Sequence, residues 1–297
     1  MNGYKKLITN QETRLKLLRI LKFIPDKLMI EIQYLLKLGR KLNLKDPQRF
    51  TEKLQWYKIN YRDNLLTIGA DKYKVREYVE SKGLHRILNK LYKVYSNPYE
   101  INVSDLPEKF VIKTNNGSGT NYFVKDKNFF DLPRIQEELN IWLNRDVYST
   151  GREWSYKNIE PVIIVEELLE EDNNFEGIND YKILCFNGKP MYIILDVDRF
   201  NGHKRNIYDL NWNLLDVTTD KPNIKNDIPK PEGLEELVEV ARILSEDFPF
   251  VRVDLYYVNK KIYFGELTFY PWTGYVEFNP DSFDFELGNK FVLPTKN

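Results

Sequence analysis

One cysteine, Cys185, stands in the whole chain, so no internal disulfide can form and a reducing compartment is weakly favoured. With only two histidines, His85 and His203, a transition-metal cluster cannot be assembled either. Excess charge of one sign is also missing. Lysine plus arginine and aspartate plus glutamate stand at 44 each, which leaves no long-range field to draw in nucleic acid. No apolar run is long enough to span a bilayer: the stretch from Leu15 to Leu38 is broken by Lys16, Arg19, Lys22, Pro25, Asp26, Lys27, Glu31 and Lys37. The beginning lacks the long apolar segment and small-residue cleavage site of a secretory signal. A cytoplasmic location is expected. Contact with the inner face of the membrane through the basic, helical beginning stays open beside the plainer reading of an ordinary packed helix pair. There is no Gly-x-Ser-x-Gly elbow and no Cys–His pair at workable positions, so hydrolase chemistry finds no support.

What is present has room for a large core: 297 residues suffice for one large domain or two to three subdomains around a cleft. Aromatic residues, 14% of the chain, are spread throughout and are read as core or subunit surface, which makes a homodimer reasonable. Residues 1 to about 65 read as helical, with Leu15, Leu18 and Leu21 and then Leu28, Ile32, Leu35 and Leu36 at helical spacing. A further helix is predicted from Asp71, an N-cap, to Gly83. From Phe110 the pattern turns to strands. Phe110 to Thr114 and Asn121 to Lys125 flank a polar, glycine-containing turn, and a helix follows over about Arg134 to Arg145. Val162 to Leu169 reads as an apolar strand, and Asn187-Gly188 is a hairpin signal between Tyr181–Phe186 and Met191–Phe200. A helix over Leu234 to Leu244 then precedes a last hairpin, Val251 to Val258 and Ile262 to Phe269. This order fits an α+β chain with two sheets facing a cleft.

The last hairpin carries the strongest chemical signal. Period two places Arg252 and Asp254 on one face of their strand and Glu266 and Thr268 on one face of theirs. A three-residue loop, Asn259 to Lys261, would set Asp254 opposite Glu266 and Arg252 opposite Thr268, whereas a two-residue turn would pair Asp254 with Gly265. Carboxylates held so close repel each other unless a cation intervenes, so their crowding is expected to strain the empty fold, and Mg²⁺ answers it. The plainer reading is a solvated hairpin face.

Other stretches could complete a phosphate site. Asn115 to Thr120 could wrap phosphate oxygens with backbone N–H groups, with Ser118 and Thr120 adding hydroxyls, although it lacks the ending of a Walker loop and could be just a turn. Lys113, just before it, could neutralise phosphate if it faces the cleft. Glu166 and Glu167, before Leu168, could read an adenine edge or simply face water. Lys182 beside Asp180 could reach phosphate or ribose, or be one more ion pair. Asp198, Arg199, His203, Lys204 and Arg205 concentrate charge after a strand, and this locally unmatched rim suits an anionic acceptor.

In this order and spacing, DKYKVREYV from Asp71, FVIKTNNGSGTNYFVKD from Phe110, REWSYKNIEPVIIVEELL from Arg152, DYKILCFNGKP from Asp180, DRFNGHKRNIYDLNWNLL from Asp198 and FPFVRVDLYYVNKKIYFGELTFYPWTGY from Phe248 resemble the ATP-grasp superfamily, specifically its TupA-like branch, named for a protein of teichuronopeptide synthesis. The resemblance covers most of residues 60 to 280. It implies an ATP-grasp fold of two subdomains clasping a nucleotide between sheets: a helical region over 1–65, a first subdomain with a glycine-rich lid over 66–150, and a second with the metal site over 151–297.

The same resemblance implies roles. Arg76 would face the nucleotide, and Lys113 would contact phosphate and the adenine region. Asn116, Gly117, Ser118, Gly119 and Thr120 would form the lid, with Glu166 and the backbone through Glu167 and Leu168 as the adenine hinge. Arg252 would stabilise the transferred phosphoryl group, while Asp254 and Glu266 bind metal. Many ATP-grasp ligases carry Glu-x-Asn in the last strand; here Thr268 replaces the asparagine and is the poorer third ligand. The cofactors implied are ATP and Mg²⁺. The implied activity is a ligase that activates a carboxylate as an acyl phosphate and joins it to an amine, on a cell-surface polysaccharide or its precursor. A kinase of a glycan or small-molecule hydroxyl, and a non-catalytic nucleotide-binding protein of a glycan assembly complex, remain the alternatives.

Overall fold

A computed structural model describes residues 11–170, 178–197, 202–225 and 228–295. Three helices open it: α1 (Gln11–Ile20), α2 (Asp26–Leu38) and α3 (Phe50–Asn60), with a tight 3₁₀ turn, Leu21–Phe23, between the first two. Pro25 cannot continue a helix and separates that turn from α2, while Gly39 ends α2 in the left-handed region at φ 69°. Helix α3 is almost wholly buried because Phe50 packs edge-on against Phe186 and Phe250 of the large sheet, with ring centroids 5.9 and 5.0 Å away.

Two short helices, α4 (Asn64–Ala70) and α5 (Val75–Ser81), lead toward the first sheet. The predicted start of the second holds in a modified form. The Asp71 carboxylate accepts from the N–H groups of Tyr73 and Lys74 at 2.9 and 3.2 Å, one turn ahead of regular helix.

The first sheet is four-stranded and antiparallel, in the order β1 (Leu91–Tyr95), β4 (Ile163–Glu166), β2 (Phe110–Thr114), β3 (Asn121–Val124). Alternation along β2 and β4 divides its two faces. Phe110, Ile112, Ile163 and Val165 join a small core under α6 (Leu132–Leu143), which contributes Ile135 and Leu139. Lys113 and Glu166 lie on the opposite face. The short helix α7 (Tyr148–Gly151) follows α6.

The second sheet has five antiparallel strands in the order β7 (Lys204–Tyr208), β6 (Lys189–Val197), β5 (Asp180–Phe186), β8 (Phe250–Val258), β9 (Lys261–Thr268). The Asn187-Gly188 turn joins β5 to β6 with both residues at positive φ, as a two-residue hairpin requires. Helix α8 (Leu234–Ser245) covers one face with Leu237, Val240, Ala241 and Leu244. Val240 is fully covered by the sheet, while Val238 on the next face is half-buried. On the other face the side chains change along the strands from apolar (Phe186, Phe250) to charged (Lys182, Asp254), and the charged end is the site. Helix α9 (Ser282–Lys290) fastens α3 beneath this sheet, since Asp284 accepts from the N–H and hydroxyl of Thr51 at 2.9 and 2.8 Å.

Candidate active site

The β8–β9 hairpin places Asp254 opposite Glu266 and Arg252 opposite Thr268, as the sequence predicts, but by a different route. Its turn has two residues and not three: Val258 pairs with Lys261, and Asn259 and Lys260 take φ values of 50° and 61°. A two-residue turn alone would misalign the carboxylates by one position. A bulge restores them, because Leu255 pairs with Phe264 while Asp254 pairs with Glu266, leaving Gly265 as the extra residue. A Cβ at Gly265 would lie 2.8 Å from the Asp254 carbonyl oxygen, so the close backbone approach at the bulge needs glycine.

Expected repulsion between the two carboxylates is not what this arrangement contains. Arg252 grips Asp254 in a fork, Nε to Oδ1 and Nη2 to Oδ2 at 2.7 Å each, and its Nη2 also lies 3.1 Å from the Thr268 hydroxyl and 3.5 Å from Glu266 Oε1. Lys182 Nζ donates to Asp254 at 2.8 Å and to Asp180 at 2.5 Å. Cations therefore already occupy the space between the carboxylates. Burial raises the Asp254 carboxyl above its ordinary value, against the pull of Arg252 and Lys182. Burial would raise Glu266 too, but Lys72, Arg252 and Lys182 outweigh it and hold that carboxyl near 2. Arg252, also buried, is driven further toward its charged form by Asp254.

On the first sheet, Lys113 and Arg76 meet at the buried Glu166, with Lys113 Nζ at 2.5 Å and Arg76 Nη1 at 3.3 Å. Arg76 is fixed further by the Asn89 side chain and carbonyl at 3.1 and 2.7 Å. The hinge beyond is partly committed. The Glu167 N–H donates to the Lys90 carbonyl at 2.9 Å, so that donor is taken, and the half-buried Leu168 follows it. The loop Asn115 to Thr120 connects β2 to β3 with a firm base: the Thr114 and Thr120 hydroxyls are 2.8 Å apart, and Asn115 Nδ2 donates to Asp71 at 2.8 Å and to the Glu160 carbonyl at 3.0 Å. Asn116 and Gly117 are buried, and Ser118 and Gly119 form the exposed tip. Gly117 and Gly119 have φ values of 77° and 71°, left-handed conformations that glycine takes without steric cost.

One residue of the site escaped sequence reasoning. Lys72 Nζ donates to the Gly117 carbonyl and lies 3.8 Å from Glu266 Oε2, so it joins the glycine loop of one sheet to the Glu266 carboxylate of the other. Burial depresses its ammonium, with Glu266 opposing and Lys113 adding to the effect. The Asp-Lys pair at 71–72 was the available signal. Only the fold shows that Asp71 tethers Asn115 while Lys72 crosses the gap.

The reading of the basic rim as locally unmatched is corrected at Arg205 and His203. Arg205 is buried and locally matched, forked onto Asp196 at 2.6 and 2.9 Å and bonded to Asp220 at 2.7 Å; His203 Nε2 lies 3.2 Å from Asp196. Asp198 and Arg199 lie outside the described residues. Burial would raise Asp196, and Arg205 overcomes it, holding the carboxyl near 2. This cluster is a structural brace between β6 and β7, with the Arg205 guanidinium 5.2 Å over the Trp272 ring.

The donor set suits Mg²⁺: two carboxylates aligned across a ladder, a hydroxyl beside them, and no soft ligand. Three cationic side chains, Lys72, Lys182 and Arg252, lie against them, and Lys113 is close enough to Lys72 to act on its charge, a pattern suited to a polyphosphate. Among solved structures, this chain is similar in fold to a D-alanine–D-alanine ligase from Bacillus anthracis complexed with ATP, at 15% identity and TM-score 0.43, covering 69% of this chain and 56% of that one. It is similar also to the corresponding ligase from Helicobacter pylori (18%, TM-score 0.40, 80% of this chain and 67% of that) and to phosphoribosylamine–glycine ligase from Thermotoga maritima (13%, TM-score 0.43, 70% and 49%). The chain thus spans little more than half the length of the first of these. No curated protein matches it in sequence. The TupA-like ATP-grasp family model matches residues 52–292, which contain the hairpin, the glycine loop and every site residue named above, and the chain belongs to that family.

Proposed function

We propose that the chain is an ATP- and Mg²⁺-dependent ligase that activates a carboxylate as an acyl phosphate and passes it to an amine. The observation that carries this reading is the alignment of Asp254 with Glu266 around the Arg252 guanidinium, with Lys72 linking Glu266 to the glycine loop. Mg²⁺, held by Asp254 and Glu266 with the Thr268 hydroxyl beside them, supplies positive charge to the phosphate oxygens when bound. The chain's own groups do the rest. Arg252 is proposed to exchange its fork on Asp254 for oxygens of the phosphoryl group in transfer, where a planar guanidinium matches the developing charge. Lys182 keeps Asp254 compensated while Arg252 is away. Lys72 and Lys113 neutralise the remaining phosphates, and the Ser118–Gly119 tip covers them and excludes water from a labile anhydride.

In this reaction an oxygen of the substrate carboxylate bonds to the terminal phosphorus of ATP as ADP leaves. The amine nitrogen then bonds to the acyl carbon as phosphate leaves. We propose as substrate a carboxylate on a cell-surface polysaccharide or its precursor, in the cytoplasm, on the strength of likeness to the family alone. The test supplies ATP, Mg²⁺, candidate carboxylates and hydroxylamine in place of the amine. Equal release of ADP and phosphate with hydroxamate accumulating supports the ligase. ADP release with phosphate retained on a stable ester replaces it by the kinase reading.

A further inference from the structure

Helix α2 is apolar on the side turned away from the protein as well as on the side that packs. The inner face of α2 is taken up by Met29, Ile30, Tyr34 and Leu38 in the core. Its outer face exposes Leu28, Ile32 and Leu35 at successive helical turns, and the corner between the helices carries Ile20 at 68% and Phe23 at 77% exposure. An ordinary surface helix shows charge there. So much clustered apolar surface marks a docking site.

Charge identifies what docks. The first 45 residues hold eleven lysines and arginines against three acids, Glu12, Asp26 and Glu31, in a chain whose totals balance at 44 each. Of those acids, Asp26 is turned inward to Arg152 at 3.0 Å and Glu31 is half-buried, while Lys22 and Lys27 stand exposed beside Phe23 and Leu28. Arg40 is spent on Asp281 at 2.8 Å, but it lies beyond the corner. A second copy of the chain would set two such cationic faces against each other. An anionic partner meets both the charge and the apolar side chains. Ile20 and Phe23 are more than two-thirds exposed, as side chains are that can enter a deformable headgroup layer.

The corner is also held in place. Buried Arg152 donates to the carbonyls of Leu21 at 2.9 Å and Lys22 at 3.3 Å as well as to Asp26. Its own backbone lies in the left-handed region at φ 55°, and four residues on the buried Tyr156 lies within electrostatic reach of Arg252, Asp254 and Glu266. The corner is thereby presented by the same segment that borders the site.

We propose that the α1–α2 corner seats the protein on an anionic membrane surface, with Ile20 and Phe23 entering the interface and Lys22 and Lys27 meeting lipid phosphates. This inference does not depend on the reaction proposed above. The full-length protein is to be sedimented with vesicles of phosphatidylcholine alone and with 30% phosphatidylserine. Binding to the serine-lipid vesicles only, weakened at least tenfold by Ile20→Ser with Phe23→Ser and, separately, by Lys22→Glu with Lys27→Glu, is the expected result. All four side chains are exposed, so both variants should melt with the parent. Three outcomes overturn the proposal: no vesicle binding by the parent, binding unchanged in either variant, or a self-association in solution that the Ile20/Phe23 variant abolishes, which would make this face an interface between copies.

Discussion

Arg252 and Asp254, two residues apart on one strand, form a forked ion pair with both bonds at 2.7 Å, and Asp254 takes a third bond from Lys182. Side chains at i and i+2 share a face of a strand, so the pair is local in sequence and deeply buried in space. It keeps Arg252, the arginine proposed to meet the transferred phosphoryl group, extended beside Asp254 and Glu266. It also means that any phosphate binding here competes with Asp254 for Arg252.

Asp254→Asn should therefore lower both stability and turnover. Two buried cations, Arg252 and Lys182, lose their shared carboxylate, and breaking a buried pair on one side costs about 3–5 kcal/mol. The relief of repulsion expected from sequence does not arise. Denaturant unfolding should show the loss, and Mg²⁺-dependent ATP hydrolysis should fall by about 100-fold or more, in line with removal of a group that meets transition-state charge. A variant as stable as the parent would show that the ion pair contributes nothing to the fold.

Gly265→Ala tests the bulge. The added methyl would meet the Asp254 carbonyl oxygen at 2.8 Å and the Tyr256 ring at 3.2 Å, both on the facing strand. Relief by backbone shift should cost about 1–3 kcal/mol, typical of overpacking. Because that shift moves Glu266 away from Asp254, Mg²⁺-dependent nucleotide binding should weaken more than metal-free binding, as calorimetry with and without the metal would reveal.

Lys72→Met is expected to raise the Kd for ATP by about tenfold to a hundredfold, the loss of one charge-assisted contact of about 1.5–3 kcal/mol. Lys113→Met should act similarly but leave Glu166 to Arg76 alone. If Lys72 served only to tie the loop to Glu266, ATP affinity would stay within twofold and only amide exchange in residues 115–120 would quicken.

Lys58 gives a pH signature away from the phosphates. It is fully buried, donating to the carbonyls of Gly151 at 3.1 Å and Thr273 at 2.8 Å, and burial pushes its pKa down to about 7 while Glu153 opposes the shift. A neutral amine still supplies both hydrogen bonds. In the unfolded chain the group titrates near 10.5, so between the two values the unfolded state holds the extra proton and stability rises with pH. Thermal unfolding from pH 7 to 9 should show this rise, and Lys58→Met should flatten it. An unchanged slope in the variant would place the depressed proton elsewhere.

Much of the site was legible along the chain because its groups lie on short, alternating strands. Period two alone put Arg252 with Asp254 and Glu266 with Thr268, and the glycine loop announced itself between two β-type runs. The turn of the hairpin was misread, since Asn259 and Lys260 adopt positive φ without a glycine to signal it. The two errors, a turn one residue shorter and a bulge at Gly265, cancelled in the register. Lys72 was passed over for a different reason: its partners, Gly117 and Glu266, are 45 and 194 positions away, beyond any local pattern.

By itself the sequence determined what short-range forces set: the strands and helices, the two-residue Asn187-Gly188 turn, the glycine loop, and the pairing of charges two residues apart. Tertiary structure alone decided which charges are spent and which are held ready. Arg205 is a basic rim in the sequence and a buried brace in the fold, because Asp196 and Asp220 reach it from a neighbouring strand and a loop. Asp254 and Glu266 are two anions in the sequence and the centre of a cation cluster in the fold, because Lys182 and Lys72 arrive from β5 and from the α4–α5 junction. Charge–charge energies depend on distance and burial, and long-range packing fixes both.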